Sequence, residues 1–502
     1  MMTRRGFVTT AALASLARWA KAAPIESSPT PDWFRDAKFG MWAHWSAQCV
    51  PEQGDWYARN MYIQGTPQSD YHRLHYGHPS RCGFKEIDHL WRAENWDPEG
   101  LVSRYRRGGA KYFMALANHH DNFDNWDSSH HAWNSVRIGP QRDLIAGWAA
   151  AARREKLPFG VSTHASHAWH WFQVAYSYDA EGDLAGVHYD GHTAPDLYCP
   201  PRMVPPDGIR SIAAMQDWHK THDGKWYEDL PLGDPFIADW KARTIDLITK
   251  YQPDMIYFDD TGLPFGEAGL AVVEQLFATS RGLHGTNRAI ATAKKLTSEQ
   301  RRYLVEDYER GFSDQIQPLP WQTDTCIGDW HYKRDITYKT VGQVVRMLID
   351  IVSKNGNLML NIPVRGDGTI DTREEQFLDS LTAWMDVNGA GIFRTRPWRV
   401  FGEGPTRAGG GMFSEGRTQY TPQDVRFMAL DQDLYAHCLD QPHEKLELHS
   451  LGRDRCEAIA AVALVGSDVP VRWKQTPAAL ELEAPERFPS KETAAFRVRM
   501  NA

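Results

Sequence analysis

The stretch Asp254-Met255-Ile256-Tyr257-Phe258-Asp259-Asp260-Thr261-Gly262 narrows the fold more than any other part of this chain. Four apolar residues run without interruption into two adjacent carboxylates. An unbroken apolar run of this length reads as a strand buried on both faces, which belongs in the centre of an α/β protein. Ionised carboxylates are costly in the middle of such a strand. They are tolerated at its C-terminal end, where α/β barrels place their chemistry. Asp259 or Asp260 is therefore expected to be a catalytic carboxylate at a barrel mouth. The alternative is an aspartate that caps the turn after the strand.

The pattern recurs along the chain. Residues 38–45 read as a first strand ending in His44 and Trp45. Residues 111–117 read as a second, followed directly by Asn118-His119-His120-Asp121, and 158–164 as a third, ending in His164. Later strands are expected at 288–292, 303–308, within 321–330 and at 357–362. Helical stretches fall between them, at 97–107 (opening on an Asp cap), 142–156, 235–250, 267–281, 341–353 and 374–387. About eight strands alternating with helices over roughly 360 residues favour a (β/α)8-like TIM barrel over an open doubly wound sheet. No GxGxxG opens a helix after a strand, which argues against dinucleotide binding. Residues 172–233 lose this order to Gly, Pro, Asp and Tyr, and are expected to form an insertion over the site. The barrel is thus assigned to 30–390. The short runs beyond it, at 424–430, 434–439 and 459–465, predict a small antiparallel β-sandwich over 391–502.

At the N-terminus, Thr3-Arg4-Arg5-Gly6-Phe7-Val8 precedes a short apolar run and then Ala20-Lys21-Ala22. Residues 1–22 resemble a twin-arginine signal peptide, too short in its apolar part to span a membrane. A periplasmic or secreted protein is expected. A net charge of -8 without a basic excess excludes nucleic acid as a partner class. The 20 Trp, 19 Tyr and 20 Phe suit a carbohydrate-active protein, and equally a large aromatic core. Six cysteines stand singly with no CxxC, against a zinc ribbon or thioredoxin site. Oligomeric state and disulfide pairing are left open.

His44, His119, His120, Asp121, His164 and Asp259 all fall at or just past strand C-termini, which a barrel brings into one mouth. Two chemistries fit. One is a metal centre built on His119, His120 and Asp121, though no H-E-x-x-H spacing occurs. The other is carbohydrate hydrolysis, with imidazoles on sugar hydroxyls and two carboxyls as nucleophile and acid/base.

Several motifs resemble the α-L-fucosidases of glycoside hydrolase family 29. Lys38-Phe39-Gly40 through His44-Trp45 is similar to that family's K-F-G-x-x-x-H-W, and Asp55-Trp56-Tyr57 to its E-W-Y. Gly109-Ala110-Lys111-Tyr112 and His119-His120-Asp121-Asn122-Phe123 through Trp126-Asp127-Ser128 resemble A-G-A-K-Y and H-H-D-G-F-x-x-W-D-S. Tyr257-Phe258-Asp259 resembles W-F-D-G, and Val352-Ser353-Lys354-Asn355-Gly356-Asn357-Leu358-Met359-Leu360-Asn361 resembles V-S-K-N-G-N-L-L-L-N.

The resemblance implies a retaining exo-α-L-fucosidase acting on fucosylated glycans, with no cofactor and no metal. It makes Asp259 the nucleophile, and His44, Trp56, His119 and His120 residues that hold or line the sugar. The acid/base has no dependable motif. Glu306, Asp307 and Glu309 follow a strand, and Glu309 is favoured because it falls where the strand gives way to a loop. Two departures surround the sugar. The family's tyrosines near Ser162-Thr163 are missing, with His164 in their place, and Trp321-Gln322 stands for W-E. The aromatics near Trp45, Trp126 and Trp321 are candidates for the wall that meets the fucose methyl, and 172–233 for the segment that sets linkage. An α-L-galactosidase and a catalytically silent carbohydrate-binding protein are the alternatives on this scaffold.

Overall fold

Eight parallel strands close into a barrel in chain order. They are β1 (Phe39–Ala43), β2 (Phe113–Asn118), β3 (Phe159–Thr163), β4 (Met255–Thr261), β5 (Ile290–Lys294), β6 (Val305–Asp307), β7 (Trp321–Cys326) and β8 (Gly356–Asn361). The ring closes where Phe39 pairs with Leu358 and Gly40 with Met359. This computed structural model describes residues 30–224, 230–407, 409–416 and 418–501. The signal-like segment 1–22 lies outside them. Among the described residues no helix is long and apolar enough to cross a membrane.

Strands β1, β2, β4 and β8 are mainly apolar on both faces because each face meets a different core. Trp42, Met114, Met255, Tyr257, Ile290, Val305 and Met359 point inward and pack on Phe34, from the helix Asp32–Ala37 that plugs the floor. Their chain neighbours Met41, Ala115, Ile256, Phe258, Ala291 and Leu360 point outward into the larger core shared with the helices. Strand side chains alternate with period two. Counting from Met255 and Tyr257 puts Asp259 on the inner face and Asp260 on the outer one. The same count on β5 runs from Ile290 through Thr292 to Lys294.

The helices start where their caps allow. Asp97 accepts from the Gly100 amide at 3.0 Å, and Thr340 from that of Gln343 at 3.2 Å, each cap contributing about 1 kcal/mol. Strand β5 begins and ends two residues later than the sequence pattern indicates, and β6 keeps only three residues.

Past the barrel, a five-stranded antiparallel sheet runs in the order β13-β16-β11-β10-β9 and a three-stranded one in the order β12-β15-β14. Their ranges are β9 (Arg396–Glu403), β10 (Val425–Leu430), β11 (Asp433–Cys438), β12 (Lys445–Leu448), β13 (Ile459–Leu464), β14 (Trp473–Gln475), β15 (Leu480–Glu483) and β16 (Ala494–Met500). Phe427, Leu434, Leu446, Leu480, Phe496 and Val498 share one core between them.

Segment 172–233 departs from its expectation. It carries a 3-10 turn at Phe172–Tyr176 and helices at Pro195–Tyr198 and Ile212–Thr221. Its carboxylates fasten it to residues 59–85. Asp223 pairs with Arg59 at 2.5 Å, Asp179 with Arg73 at 2.6 Å and Asp190 with Lys85 at 3.1 Å. None of its described residues lines the cavity at the barrel mouth.

Candidate active site

The C-terminal ends of the strands surround a cavity of about 440 Å³. Asp259, the first inward position above Tyr257 on β4, lies at its centre. Its Oδ2 is 3.2 Å from His120 Nε2 and 3.1 Å from His164 Nδ1. Its Oδ1 accepts from the Lys294 ammonium. Burial by itself would push this carboxyl up, but Lys294 and the two imidazoles outweigh it and hold Asp259 well below the usual carboxylate range.

Lys294 also donates to Glu309 Oε2 at 2.6 Å. One ammonium in contact with an oxygen of each carboxyl keeps those oxygens within about 5 Å, the spacing of a nucleophile and acid/base pair. Glu309 stands two residues past the end of β6. Burial pushes it up to about 7, with Asp324 and Asp259 adding and Lys294 opposing. The two groups beside one lysine therefore titrate far apart, Asp259 as a carboxylate and Glu309 as an acid. The other acid/base candidates are placed elsewhere. Glu306 is paired with Arg301. Asp307 lies on the inner face below the cavity, bonded to Gln322 Nε2 at 3.1 Å.

The imidazoles are fixed by their second nitrogens. Gln48 Nε2 donates to His119 Nδ1 at 2.9 Å, so the proton of that ring sits on Nε2, which faces Asp55 Oδ1 at 3.8 Å. His331 is held between Asp55 (2.6 Å) and Ser46 Oγ (2.9 Å). The His120 Nδ1–H donates to the His164 carbonyl at 2.8 Å. His44 is held through its backbone by Asn361, and neither ring nitrogen has a protein partner among the described residues. Burial, reinforced by neighbouring imidazoles, holds His44 and His119 well below the ordinary histidine value; burial lowers His164 to about 4. Neutral imidazoles at His44, His119 and His164 can each donate to and accept from a hydroxyl group. Trp56 adds an aromatic face, edge-on to His120 and Trp171.

His44, Asp55, His119 and His331 offer ligand atoms within 4.8 Å of one another, as do His119, His120 and His164. In the first set both nitrogens of His331 are engaged by Asp55 and Ser46; in the second, His120 and His164 face Asp259. The trio considered from sequence does not converge, because Asp121 turns away to Gln48 Nε2 at 3.0 Å and its own loop amide at Phe123.

All seven residues singled out from the sequence (His44, Trp56, His119, His120, His164, Asp259 and Glu309) line this one cavity. The proposed aromatic wall does not. The indoles of Trp45, Trp126 and Trp321 donate to Arg365, Asp246 and Lys354. They are packed behind the strands, since motif tryptophans that fall on outward positions serve the helix-facing core. The cavity instead meets Trp42, Trp330, Met412 and Phe413. Lys294, Asp55 and Asp324 are further lining residues that the sequence reading missed. The inward count along β5 and β7 was the signal for Lys294 and Asp324. Asp324 accepts from Tyr257 Oη at 3.1 Å, and burial raises its carboxyl despite the opposing charge of Lys294.

Comparison with known proteins gives the family and the fold. Residues 9–390 match the family model described as alpha-L-fucosidase. The tissue alpha-L-fucosidase of Rattus norvegicus is 24% identical over 467 residues, covering 90% of this chain and 85% of that protein. Among solved structures, the Thermotoga maritima alpha-fucosidase in complex with a mechanism-based inhibitor superposes with a TM-score of 0.71 at 23% identity, covering 94% of this chain and 97% of that one. A trapped covalent intermediate of a Bacteroides thetaiotaomicron alpha-L-fucosidase gives a TM-score of 0.64 at 16% identity, covering 95% and 99%.

Proposed function

The chain belongs to the alpha-L-fucosidase family and is a glycoside hydrolase that cleaves α-L-fucosyl linkages, and from that premise we propose that it does so by double displacement. Asp259 is the nucleophile and Glu309 the acid/base. The observation that carries this reading is the single ammonium of Lys294 between the two carboxyls, one ionised and one raised to about 7.

In the first half, Asp259 forms a bond to the anomeric carbon while Glu309 gives its proton to the departing glycosidic oxygen. In the second, Glu309 takes a proton from water, whose oxygen displaces Asp259 with a second inversion. The change of role at Glu309 follows from charge. Esterified Asp259 carries no charge, so Glu309 loses the like charge that raised it and keeps Lys294, which lowers it. His44, His119, His120 and Trp56 hold the sugar. The covalent intermediate trapped in the Bacteroides enzyme supports the same route here.

Azide distinguishes the roles. With p-nitrophenyl α-L-fucoside, Asp259→Ala is expected to be nearly inactive and to give the inverted β-L-fucosyl azide. Glu309→Ala is expected to give the retained α-L-fucosyl azide. The same configuration from both variants would overturn the assignment.

We further propose export of the folded enzyme through the twin-arginine-like leader at 1–22. All six cysteines are unpaired and five are buried, which suits a chain that folds in a reducing compartment before it leaves. Replacing Arg4 and Arg5 by Lys should keep the enzyme in the cytoplasmic fraction; unchanged export would refute this.

A further inference from the structure

The outer rim of the cavity holds a group that the chemistry at Asp259 does not use. Phe413 lines the cavity beside Met412, yet the residue is 53% exposed. Both residues lie between β9 and β10 of the C-terminal domain, where residues 411–415 reach back to the loop after β6 at the barrel mouth.

That segment is anchored around Glu309. The Phe413 amide donates to the Glu309 carbonyl at 2.8 Å, and that of Glu415 to the Arg310 carbonyl at 2.9 Å. Gly411 and Phe312 exchange a pair of backbone hydrogen bonds. The Glu415 carboxylate accepts from Thr325 Oγ1 at 2.6 Å and from Lys339 at 3.2 Å. Phe413 itself sits at φ +54°, a left-handed backbone that a residue with a side chain keeps only where its surroundings hold it there. A strained, anchored aromatic ring facing solvent at a pocket edge is expected where a ligand covers it.

Direction follows from the acid. Glu309 protonates the oxygen between fucose and the group that leaves, so the leaving group lies on the Glu309 side of the cavity, where Phe413 is fastened. Asp260, Thr261 and Lys295 supply polar groups elsewhere on the rim. An apolar plate with polar groups nearby suits a pyranose, which has an apolar C–H face and a border of hydroxyls.

We propose that Phe413 is the stacking platform of a second subsite, which takes the ring of the leaving-group sugar in an α-L-fucosyl disaccharide or longer glycan. The inference rests on Glu309 as the acid/base. It assigns recognition of the leaving sugar to the C-terminal domain and not to segment 172–233.

The test compares wild type, Phe413→Ala and Phe413→Trp. The substrates are α-L-fucosyl fluoride, which has no leaving sugar, and a panel of α-L-fucosyl disaccharides linked 1→2, 1→3, 1→4 and 1→6 to galactose or N-acetylglucosamine. For the disaccharide that wild type cleaves best, the ratio of its kcat/KM to that of the fluoride should fall about tenfold in Phe413→Ala and return in Phe413→Trp. The fluoride rate of each preparation corrects for misfolded protein. An unchanged ratio in Phe413→Ala, or a wild type that cleaves no member of the panel, overturns the proposal. The azide product of Glu309→Ala reads the acid/base assignment separately, so the two can fail independently.

Discussion

Two buried charge clusters in this molecule have opposite make-up. Where the barrel meets the C-terminal sheet, Asp350 lies between two cations. Its oxygens accept from Arg426 Nε at 2.6 Å and Lys354 Nζ at 2.7 Å, and all three side chains are 0–1% exposed. At the barrel mouth one cation, Lys294, lies between two acids, with Asp324 as a third acid nearby. In the first cluster each carboxylate oxygen has its own cation. In the second the positive charges are too few for the carboxyls. One acid, Asp259, is held ionised, while burial pushes Glu309 up to about 7 and raises Asp324. A buried salt bridge thus serves structure when cations match or exceed acids, and can supply a transferable proton when acids are in excess and face a cavity.

Removing the ionised acid should have the largest effect. Asp259→Ala is expected to lower kcat on p-nitrophenyl α-L-fucoside by about 10⁴-fold or more. A variant that keeps a tenth of wild-type activity would show that the nucleophile lies elsewhere.

The cation comes next. Lys294→Met should lower kcat about 10²- to 10³-fold, and Lys294→Arg should recover part of it. The pH profile separates this from a loss of folding. In wild type kcat/KM should fall as pH rises through about 7, where Glu309 loses its proton. Lys294 lowers both Asp259 and Glu309. Without it both limbs of the profile should move to higher pH, the acid limb because Asp259 must ionise and the alkaline limb because Glu309 must stay protonated. Limbs that do not move would mean that Lys294 only supports the strand.

At the other cluster the expected loss is in stability, not rate. Asp350→Ala leaves Arg426 and Lys354 buried without a counter-charge and should cost about 3–5 kcal/mol in denaturant unfolding, with kcat of the folded enzyme unchanged. Replacing all three by Ala, Met and Met should restore much of that loss. If the triple variant is no more stable than Asp350→Ala, unpaired charge was not the cause.

The comparison also explains what could be read from the sequence. Strands such as β2, β4 and β8 were legible because both their faces are mainly apolar, and the histidines because they directly follow predicted strands. Asp259 separates from Asp260 only by counting alternate residues from Tyr257, which becomes decisive once an inward side chain is known. Lys294 was hidden because its strand was ended at Thr292, two residues short of the last inward position. Trp45, Trp126 and Trp321 misled because a tryptophan in a motif can serve either core. Phe413 gave no local signal: it reaches the cavity through a fold-back from another domain, fixed by backbone hydrogen bonds that no residue pattern encodes. Segment 172–233 read as an insertion over the site because long stretches rich in Gly and Pro often serve one, yet its aspartates find cations in residues 59–85 and none of its described residues lines the cavity.

The mildest test of the acid excess is Asp260, which follows the nucleophile and lines the cavity edge with its carboxyl turned to Ser166. Its Oδ2 accepts from Ser166 Oγ at 2.9 Å and lies 3.5 Å from His167 Nε2. Burial raises this carboxyl to about 7, Ser166 opposing and Asp259 adding. In the unfolded chain it titrates near 3.9. Between those pH values the folded protein keeps a proton that the unfolded chain has released. Its contribution is therefore fully present below about pH 4 and is lost as pH rises to about 7. Asn cannot ionise and still accepts from Ser166. Asp260→Asn should match wild type in Tm near pH 4, gain on it as pH rises to about 7 and keep a constant lead above that, with kcat/KM on p-nitrophenyl α-L-fucoside changed by less than about threefold, as for an isosteric change. A Tm difference that stays flat across this range would mean that Asp260 is ionised throughout, and that the excess of acid at the mouth is confined to the groups around Lys294.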